Sequence, residues 1–509
     1  MGRFYTVFLV ALPIVLAYRQ VFLPDLCSVT IPQLQGGLDN GDFSSVDLVN
    51  TYFARIEEFN LKSSSLRTTF ELNANALTEA AFLDEERSKS RKRSPLHGIP
   101  ILLSDGIAFE MNRTLGSSSI LGQTDVHYED PVVVRRLRKA GAIILGKSNS
   151  SGTSPKESLA GGQCTSVYFP NGDAYGSSLS SAVATSIGLA IVSLGTETDG
   201  SITCSSANSN VVGIKPTVGL TSQAGAVPVP EQNTIGPIAR SVLDAAIVLA
   251  IITGKDPNDA LAPTAPPKFV TNDATGLRKR RDPLEGKRIG VPRAVFLDDS
   301  LSGNDPFVNV LFEQALDILK GLGATIVDPA DLPSAQDILD IHSKAQINDL
   351  DIRDSYSSQS RLISAEGATE SKDTFSHNPS YDYELGATRG IDAAQKEHNL
   401  DALVLPMTTS KLATIPSAIS GYPIVTVPMG FYPANITNDS IKPAACYPAP
   451  GMPIGLSFLG TAFSEFDLVG LAHAYEQKTH TGRFRSPFRE VMPRTQLWNV
   501  IHKRTSHSS

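Results

Sequence analysis

The sequence has little cysteine and little tryptophan for its length. It contains 4 cysteines and 1 tryptophan among 509 residues. The cysteines, Cys27, Cys164, Cys204 and Cys446, are widely separated, and no two of them form a CxxC pair. This spacing excludes a disulfide-built scaffold, although one or two bridges remain compatible with it. It gives no sign of a metal site either, so we expect no bound metal.

An excess of positive charge is also absent. The formal net charge is -8 and the pI is near 5.7. Nucleic-acid binding depends on clustered lysine and arginine, so nucleic acid is not expected as a partner. There is no GxGxxG loop opening a strand-helix unit, no Walker A loop and no HExxH motif, and we therefore expect no cofactor. The remaining composition, 41% hydrophobic and 19% charged, is typical of a large globular protein.

Long apolar runs are missing except at the N-terminus. There, MGR is followed by FYTVFLVALPIVLA, with Val15 and Ala17 as small residues suited to cleavage. This is the build of a secretory signal peptide, and the run is shorter than the ~20 apolar residues that span a bilayer. We predict a secreted protein with a signal peptide cleaved at about residues 1–17 and no stable membrane span; an uncleaved anchor is the alternative. The candidate glycosylation sites are Asn112, Asn149, Asn435 and Asn438.

Helical patterns alternate with short apolar runs along the chain. Residues 44–59 begin with a capping-box-like SSVD and place Val49, Phe53 and Ile56 on one helical face. Residues 131–139 and 306–320 each resemble a proline-led helix that ends near a glycine and precedes a β-branched strand. This alternation predicts an α/β fold in which helices cover a sheet. No segment separates two independent cores, so we expect one large domain over residues 25–500.

The residues that best suggest chemistry lie between positions 175 and 217. The stretch reads YGSSLSSAVATSIGLAIVSLGTETDGSITCSSANSNVVGIKPT. A Gly-Ser-Ser turn enters an alanine-rich helix, and the strand that follows ends in the turn Asp199-Gly200-Ser201. Such a turn can present a serine hydroxyl beside several backbone N–H groups that point the same way. The alternative is that glycine and serine merely serve tight turns and close packing.

Several motifs occur in the order found in one known family. They are LHGIP at Leu96, VVRRLRKAGAIILGKSN from Val133, GGQ at Gly161, GSS at Gly176, LGTETDGSITC at Leu194, VVGIKPTVGLTS at Val211, GPIARSVLDAA at Gly236, and the later SGYPIVTVPMG and PIGLSFLGTAFSE. Over residues 48–488 the chain resembles the amidase signature family of serine hydrolases, and in particular the subgroup with TETDGS that includes peptide amidases. The resemblance implies a single α/β domain with a mixed central sheet. It also implies a Ser, cis-Ser, Lys triad that hydrolyses C–N amide bonds through an acyl-enzyme.

The resemblance assigns roles to individual residues. Ser201 matches the nucleophile, and Ser177 matches the bridging serine that follows a cis peptide bond. Ser178 matches the neighbouring serine that supports this network. The backbone N–H groups that would hold the oxyanion are those of Thr198, Asp199, Gly200 and Ser201. Removal of one important donor of this kind slows other hydrolases by about 10²- to 10³-fold.

The third member of the triad is missing. In the family the LHGIP strand continues into a Lys-Asp pair whose lysine is the base, whereas this chain has Ser104-Asp105. A buried lysine can stay neutral and basic near neutral pH, but a serine hydroxyl is a very weak base. Because a base contributes about 10²- to 10⁴-fold, we expect ordinary amide hydrolysis to be severely impaired. Asp105 and Lys147 are the alternatives for a substitute base.

Other departures surround the presumed site. Leu179 and Ser180 replace a small residue and a glycine, Ser205 replaces a proline, and Gly106 stands where asparagine is common. Three hypotheses therefore stay open. The chain is a secreted Ser201-dependent hydrolase of a small-molecule amide, a peptide amide or an ester. Otherwise it is a catalytically inactive pseudo-amidase that binds a ligand, or an enzyme repurposed for acyl transfer in natural-product tailoring.

Overall fold

The computed structural model describes most of the chain after the first residues. The described ranges are 23–62, 70–104, 106–107, 130–148, 164–170, 176–224, 233–256, 259, 284–340, 379–436 and 448–507. The predicted signal peptide at residues 1–17, Asp105, and the sequons at Asn112, Asn149 and Asn438 lie outside these ranges. Within them, no helix combines the length and the apolar character that crossing a bilayer requires.

The described elements alternate between strands and helices. The strands are β1 (Phe70–Leu72), β2 (Pro100–Ser104), β3 (Ile143–Ser148), β4 (Val192–Glu197), β5 (Val212–Lys215), β6 (Thr234–Ala239), β7 (Arg288–Gly290), β8 (Thr325–Val327), β9 (Ala402–Met407), β10 (Ile424–Phe431) and β11 (Pro453–Leu459). The α-helices are α1 (Ile31–Asn40), α2 (Ser45–Lys62), α3 (Ala76–Lys89), α4 (Val132–Lys139), α5 (Leu179–Ser186), α6 (Thr203–Asn208), α7 (Val242–Ile252), α8 (Asp299–Ser302), α9 (Pro306–Gly321), α10 (Pro379–Tyr383), α11 (Asp392–His398), α12 (Ile415–Ser420), α13 (Glu465–Thr479) and α14 (Leu497–His507). A π-helical segment covers Glu384–Ile391, and short 3₁₀ segments cover Lys411–Ala413, Thr481–Arg483 and Arg489–Val491.

The strands form one mixed sheet. Their order in this 11-stranded sheet is β1-β3-β2-β4-β6-β5-β10-β11-β9-β7-β8. Strand β2 runs parallel to β3 and β4, and β7 runs parallel to β8 and β9, whereas the pairs from β4 through β6, β5, β10 and β11 to β9 are antiparallel. Strands β2 and β9 are buried at every position, as expected where helices cover the sheet. The predicted α/β class, with a mixed sheet flanked by helices, is confirmed.

The local sequence signals place the elements where they were predicted. The helix expected over residues 44–59 is α2, and the two proline-led helices are α4 and α9. Before α9, the Asp305 side chain accepts a hydrogen bond from the Phe307 N–H, and Pro306 occupies the first turn. Gly323 follows the helix with a φ of +96°, which turns the chain into β8.

Asp244 on α7 ties the start of α1 to the core. Its Oδ1 atom accepts a hydrogen bond of 2.9 Å from the Ile31 N–H, while the buried Oδ2 atom has no partner among the described residues. Burial raises the pKa of Asp244 from 3.8 to about 6. Between these two pH values the folded state binds more protons than the unfolded state, so the contribution of Asp244 to stability falls as the pH rises through this window.

Replacement of Asp244 by asparagine is expected to stabilise the protein near neutral pH, because the amide keeps the Oδ1 acceptor and buries no charge. Its gain in unfolding free energy should be about 1 to 2 kcal/mol larger at about pH 7.5 than at about pH 5. Chemical unfolding followed by circular dichroism at both pH values measures this gain. Asp317→Asn, at an exposed carboxylate paired with Lys320, is the control and should show no such difference. An equal gain from Asp244→Asn at both pH values would contradict the role of charge burial.

Candidate active site

The predicted site residues lie at the ends of two neighbouring strands. Strand β2 ends at Ser104, and β4 ends at Glu197, shortly before the turn that carries Ser201. The two strands are parallel, with Leu103 opposite Leu194. Since the carboxyl ends of adjacent parallel strands meet at one edge of a sheet, Ser104 and Ser201 belong to the same edge, where ligands bind in many α/β proteins.

Ser104 faces the helix layer that contains α5, the helix that follows Ser177 and Ser178. In the pairing of β2 with β3, Ser104 lies opposite Ser148, and paired residues project from the same face of a sheet. The Ser148 hydroxyl is 2.8 Å from the Ser181 hydroxyl on α5, so α5 covers this face. Ser177 and Ser178 directly precede α5. The Ser104 side chain is 3% exposed, and its hydroxyl makes no hydrogen bond to the described residues.

The geometry of β3 excludes Lys147 as the substitute base. Lys147 is adjacent to Ser148 in the strand and lies opposite Leu103 of β2. Neighbouring residues of a strand project from opposite faces, so the Lys147 side chain leaves the sheet on the face opposite to that of Ser104. The other alternative, Asp105, lies outside the described residues.

The Gly-Ser-Ser turn packs against the end of β4. The Ser178 hydroxyl accepts a hydrogen bond of 3.1 Å from the Thr196 N–H and donates one of 3.0 Å to the Thr196 carbonyl. A Cβ atom placed on Gly176 would lie 3.1 Å from the Ser201 carbonyl oxygen and 2.0 Å from the Ser205 hydroxyl. Ser178 therefore anchors this turn to β4, and Gly176 lies in close contact with the residues around Ser201.

The bond before Ser177 differs from what the resemblance implies. Among the described residues, the cis peptide bond found is Asp328–Pro329. The bond from Gly176 to Ser177 is therefore trans rather than cis. The trans form is lower in free energy by about 3 to 4 kcal/mol for a residue other than proline. Ser177 is partly exposed, and its hydroxyl makes no hydrogen bond to Ser104 or Ser201. The three serines thus share one edge of the sheet without forming a hydrogen-bonded chain.

A buried carboxylate organises the turn that carries Ser201. The Glu197 side chain accepts hydrogen bonds from the N–H groups of Gly200 at 2.9 Å, Ile202 at 2.6 Å and Thr203 at 2.7 Å. The Thr203 hydroxyl donates a fourth bond of 3.0 Å to the same carboxylate. These amides open α6, where unpaired N–H groups favour a negative charge. Ser201, in the middle of the turn, remains partly exposed.

One of the predicted oxyanion donors is already engaged. The Gly200 N–H donates to Glu197, so it is not free to bind an oxyanion in this arrangement. The predicted oxyanion hole then depends on the N–H groups of Thr198, Asp199 and Ser201. The Asp199 carboxylate is itself fixed, since it accepts a hydrogen bond from the Thr414 hydroxyl at the start of α12.

A second buried charge accompanies Glu197. Lys215 is fully buried, and its Nζ atom donates hydrogen bonds to the carbonyls of Tyr422 at 2.8 Å and Ser417 at 3.3 Å. Burial lowers the pKa of Lys215 to about 8, against the opposing effect of carboxylates led by Glu197 and Glu465. Burial raises the pKa of Glu197, while Lys215 and the backbone donors lower it. Sequence reasoning did not single out Glu197 or Lys215, although each is a charged residue within a stretch of small and apolar ones.

Side chains that could ligate a metal ion are not clustered in the described part of the chain. There, no three His, Cys, Asp or Glu side chains are grouped in a way that would hold a metal ion. Cys27, Cys164 and Cys204 form no disulfide bridge with one another. Cys446 lies outside the described residues.

Comparison with known proteins places this chain in a family. A family model described as Amidase matches residues 47–469. A putative amidase of Arthroderma benhamiae is 38% identical over 92% of this chain and 89% of its own length. A probable amidase of Arabidopsis thaliana is 32% identical over 88% of this chain and 90% of its own. The structure of the native peptide amidase from Stenotrophomonas maltophilia superposes with a TM-score of 0.73 at 34% identity, covering 91% of this chain and 98% of that one. The chain belongs to the amidase signature family of amidase-type hydrolases.

Proposed function

We propose that this protein hydrolyses small-molecule amides or peptide C-terminal amides through an acyl-enzyme on Ser201, at a rate limited by the absence of the lysine base. The observation that carries the proposal is the turn at the end of β4. Glu197 holds this turn by four hydrogen bonds and leaves Ser201 partly exposed at the sheet edge that Ser104 shares.

The proposed reaction gives these groups the roles that the family resemblance assigns to them. The Ser201 oxygen attacks the carbonyl carbon of the amide, and the resulting oxyanion accepts hydrogen bonds from the amides of Thr198, Asp199 and Ser201. Ser177 relays the proton: as it accepts the Ser201 proton it gives its own hydroxyl proton to the leaving nitrogen, and the C–N bond breaks to release the amine. Water then hydrolyses the acyl ester and restores Ser201.

The residue at position 104 sets the substrate preference. The Ser104 hydroxyl draws a proton only weakly, so the activation of Ser201 and the protonation of an amine leaving group are both slow. An activated ester has a leaving group that departs without a proton. We therefore infer that activated esters react faster than amides of the same acyl group.

Labelling with a fluorophosphonate probe is expected to modify Ser201 in the folded protein. Ser201→Ala should abolish the labelling, whereas Ser410→Ala, at a partly exposed serine outside the proposed triad, should leave it unchanged. Mass spectrometry of the labelled peptide identifies the modified residue, and the release of nitrophenol or nitroaniline compares ester with amide turnover.

The same experiment separates the competing hypotheses. Absence of labelling in the folded wild type would contradict the proposal and favour an inactive binding protein. Labelling without hydrolysis, together with transfer of the acyl group to an added amine, would favour acyl transfer instead.

A further inference from the structure

Two buried charges lie between the Ser201 turn and helix α12. We propose that Lys215 and Glu197 are positioning residues for Ser201. The Lys215 ammonium neutralises the buried Glu197 carboxylate, and that carboxylate fixes the amides that shape the Ser201 turn. The link to catalysis rests on the function proposed above, whereas the effect on the turn does not.

Glu197 is built to act as a carboxylate. It is 1% exposed, and both of its oxygen atoms accept hydrogen bonds from donors within the next six residues. Three of the four donors are backbone N–H groups, which cannot accept a carboxylic acid proton, so protonation of Glu197 would require the Thr203 hydroxyl to stop donating and accept instead. A buried carboxylate needs a compensating charge, because its removal from water is strongly unfavourable.

Lys215 supplies that charge from a fixed position. Lys215 ends β5, whose neighbour β6 pairs with β4, the strand that ends at Glu197, and both side chains are buried. Of the carboxylates that raise the pKa of Lys215 against the effect of burial, Glu197 has the largest effect, followed by Glu465 and Asp199. The Glu465 Oε1 atom accepts a hydrogen bond of 2.6 Å from the Thr217 N–H, while its Oε2 atom has no partner among the described residues. Glu197 therefore accepts more hydrogen bonds than Glu465, the other buried carboxylate that affects Lys215.

Helix α12 completes the support on the other side of the turn. Lys215 donates to the carbonyl of Ser417 within α12 and to that of Tyr422 just after it. Thr414, which precedes the same helix, donates to the Asp199 carboxylate. The turn is thus held by Glu197 from within and by α12 through Asp199. Loss of the Lys215 charge should loosen both contacts.

The test uses Lys215→Met, Glu197→Gln and the double variant in the full chain. Hydrogen exchange measured by mass spectrometry on the peptide spanning residues 197–204 is expected to be at least about 10-fold faster in each single variant, because the amides of Gly200, Ile202 and Thr203 lose their fixed acceptor. Fluorophosphonate labelling of Ser201 should slow by about 10²-fold, the effect of a displacement of about 1 Å in an active site. The double variant should be no slower than the slower single variant, since the two residues act as a unit.

The control is Arg136→Met. Arg136 is another partly buried cation that donates to backbone carbonyls, those of Ile252 at 2.8 Å and Gly254 at 3.1 Å. Its loss should reduce thermal stability without changing exchange in the 197–204 peptide or labelling of Ser201. If Lys215→Met fails to fold, Thr203→Val removes one donor to Glu197 and should give the same two changes at smaller size.

The outcomes distinguish this inference from the proposed function. Unchanged exchange of the 197–204 peptide in Lys215→Met and Glu197→Gln would overturn the inference, as would additive effects in the double variant. Absence of labelling in the wild type would overturn the proposed function alone, because the exchange measurement needs no activity.

Discussion

Ser104→Lys is expected to raise the rate of amide hydrolysis by about 10²- to 10⁴-fold, the usual contribution of a positioned general base. The side chain at position 104 is 3% exposed and faces the layer that carries Ser177 and Ser178. A lysine there would be buried beside Leu102, which projects from the same face of β2, and burial keeps an amine neutral near neutral pH. The neutral amine can then take the Ser201 proton through Ser177.

Ser104→Met separates the chemistry of the amine from the volume of the side chain. Methionine extends the side chain by a similar length but cannot accept a proton, so we expect no gain from it. Steady-state hydrolysis of a peptide amide, measured for both variants and for Ser104→Lys combined with Ser201→Ala, decides between the explanations. Equal rates for the lysine and methionine variants would show that the missing base does not limit the reaction. A gain that persists without Ser201 would place the nucleophile elsewhere.

Local signals were enough to predict the elements of the fold. Helices α2, α4 and α9 each have an apolar face and a recognisable start, and these features depend on neighbouring residues. The order of the strands depends on contacts between residues that are far apart in the sequence. Strand β4 pairs with β2 in parallel and with β6 antiparallel, and no short stretch of sequence specifies that arrangement.

The positions of the candidate site residues could be predicted from the sequence in part. The motifs located Ser201, Ser177 and Ser104, and the structure places them at one edge of the sheet. Glu197 was missed because its charge is visible in the sequence but its burial and its four donors are not. The same holds for Lys215. The exclusion of Lys147 likewise required the register between β2 and β3. The motif alone does not show which face of β3 the Lys147 side chain projects from.

Gly176→Ala is expected to lower the unfolding free energy by about 2 to 4 kcal/mol and to slow labelling of Ser201 by about 10²-fold. Two costs combine at this position. Gly176 has a φ of +121°, a conformation that strains any residue with a Cβ atom, and that atom would lie 2.0 Å from the Ser205 hydroxyl. It would also lie 3.1 Å from the Ser201 carbonyl oxygen. The Ser201 carbonyl must give way to this atom, so the substitution shifts the turn that carries Ser201.

Gly41→Ala separates conformational strain from the steric clash. Gly41 also has a positive φ, +69°, but a Cβ atom there would meet nothing within 4 Å, so this variant should lose about 1 kcal/mol and label normally. Adding Ser205→Gly to Gly176→Ala removes the obstructing hydroxyl and should restore part of the labelling rate, because only the 3.1 Å contact with the Ser201 carbonyl oxygen then remains. Thermal unfolding and the time course of fluorophosphonate labelling measure both effects. If the double variant labels as slowly as Gly176→Ala, the strain at φ alone, and not the contact with Ser205, controls the position of Ser201.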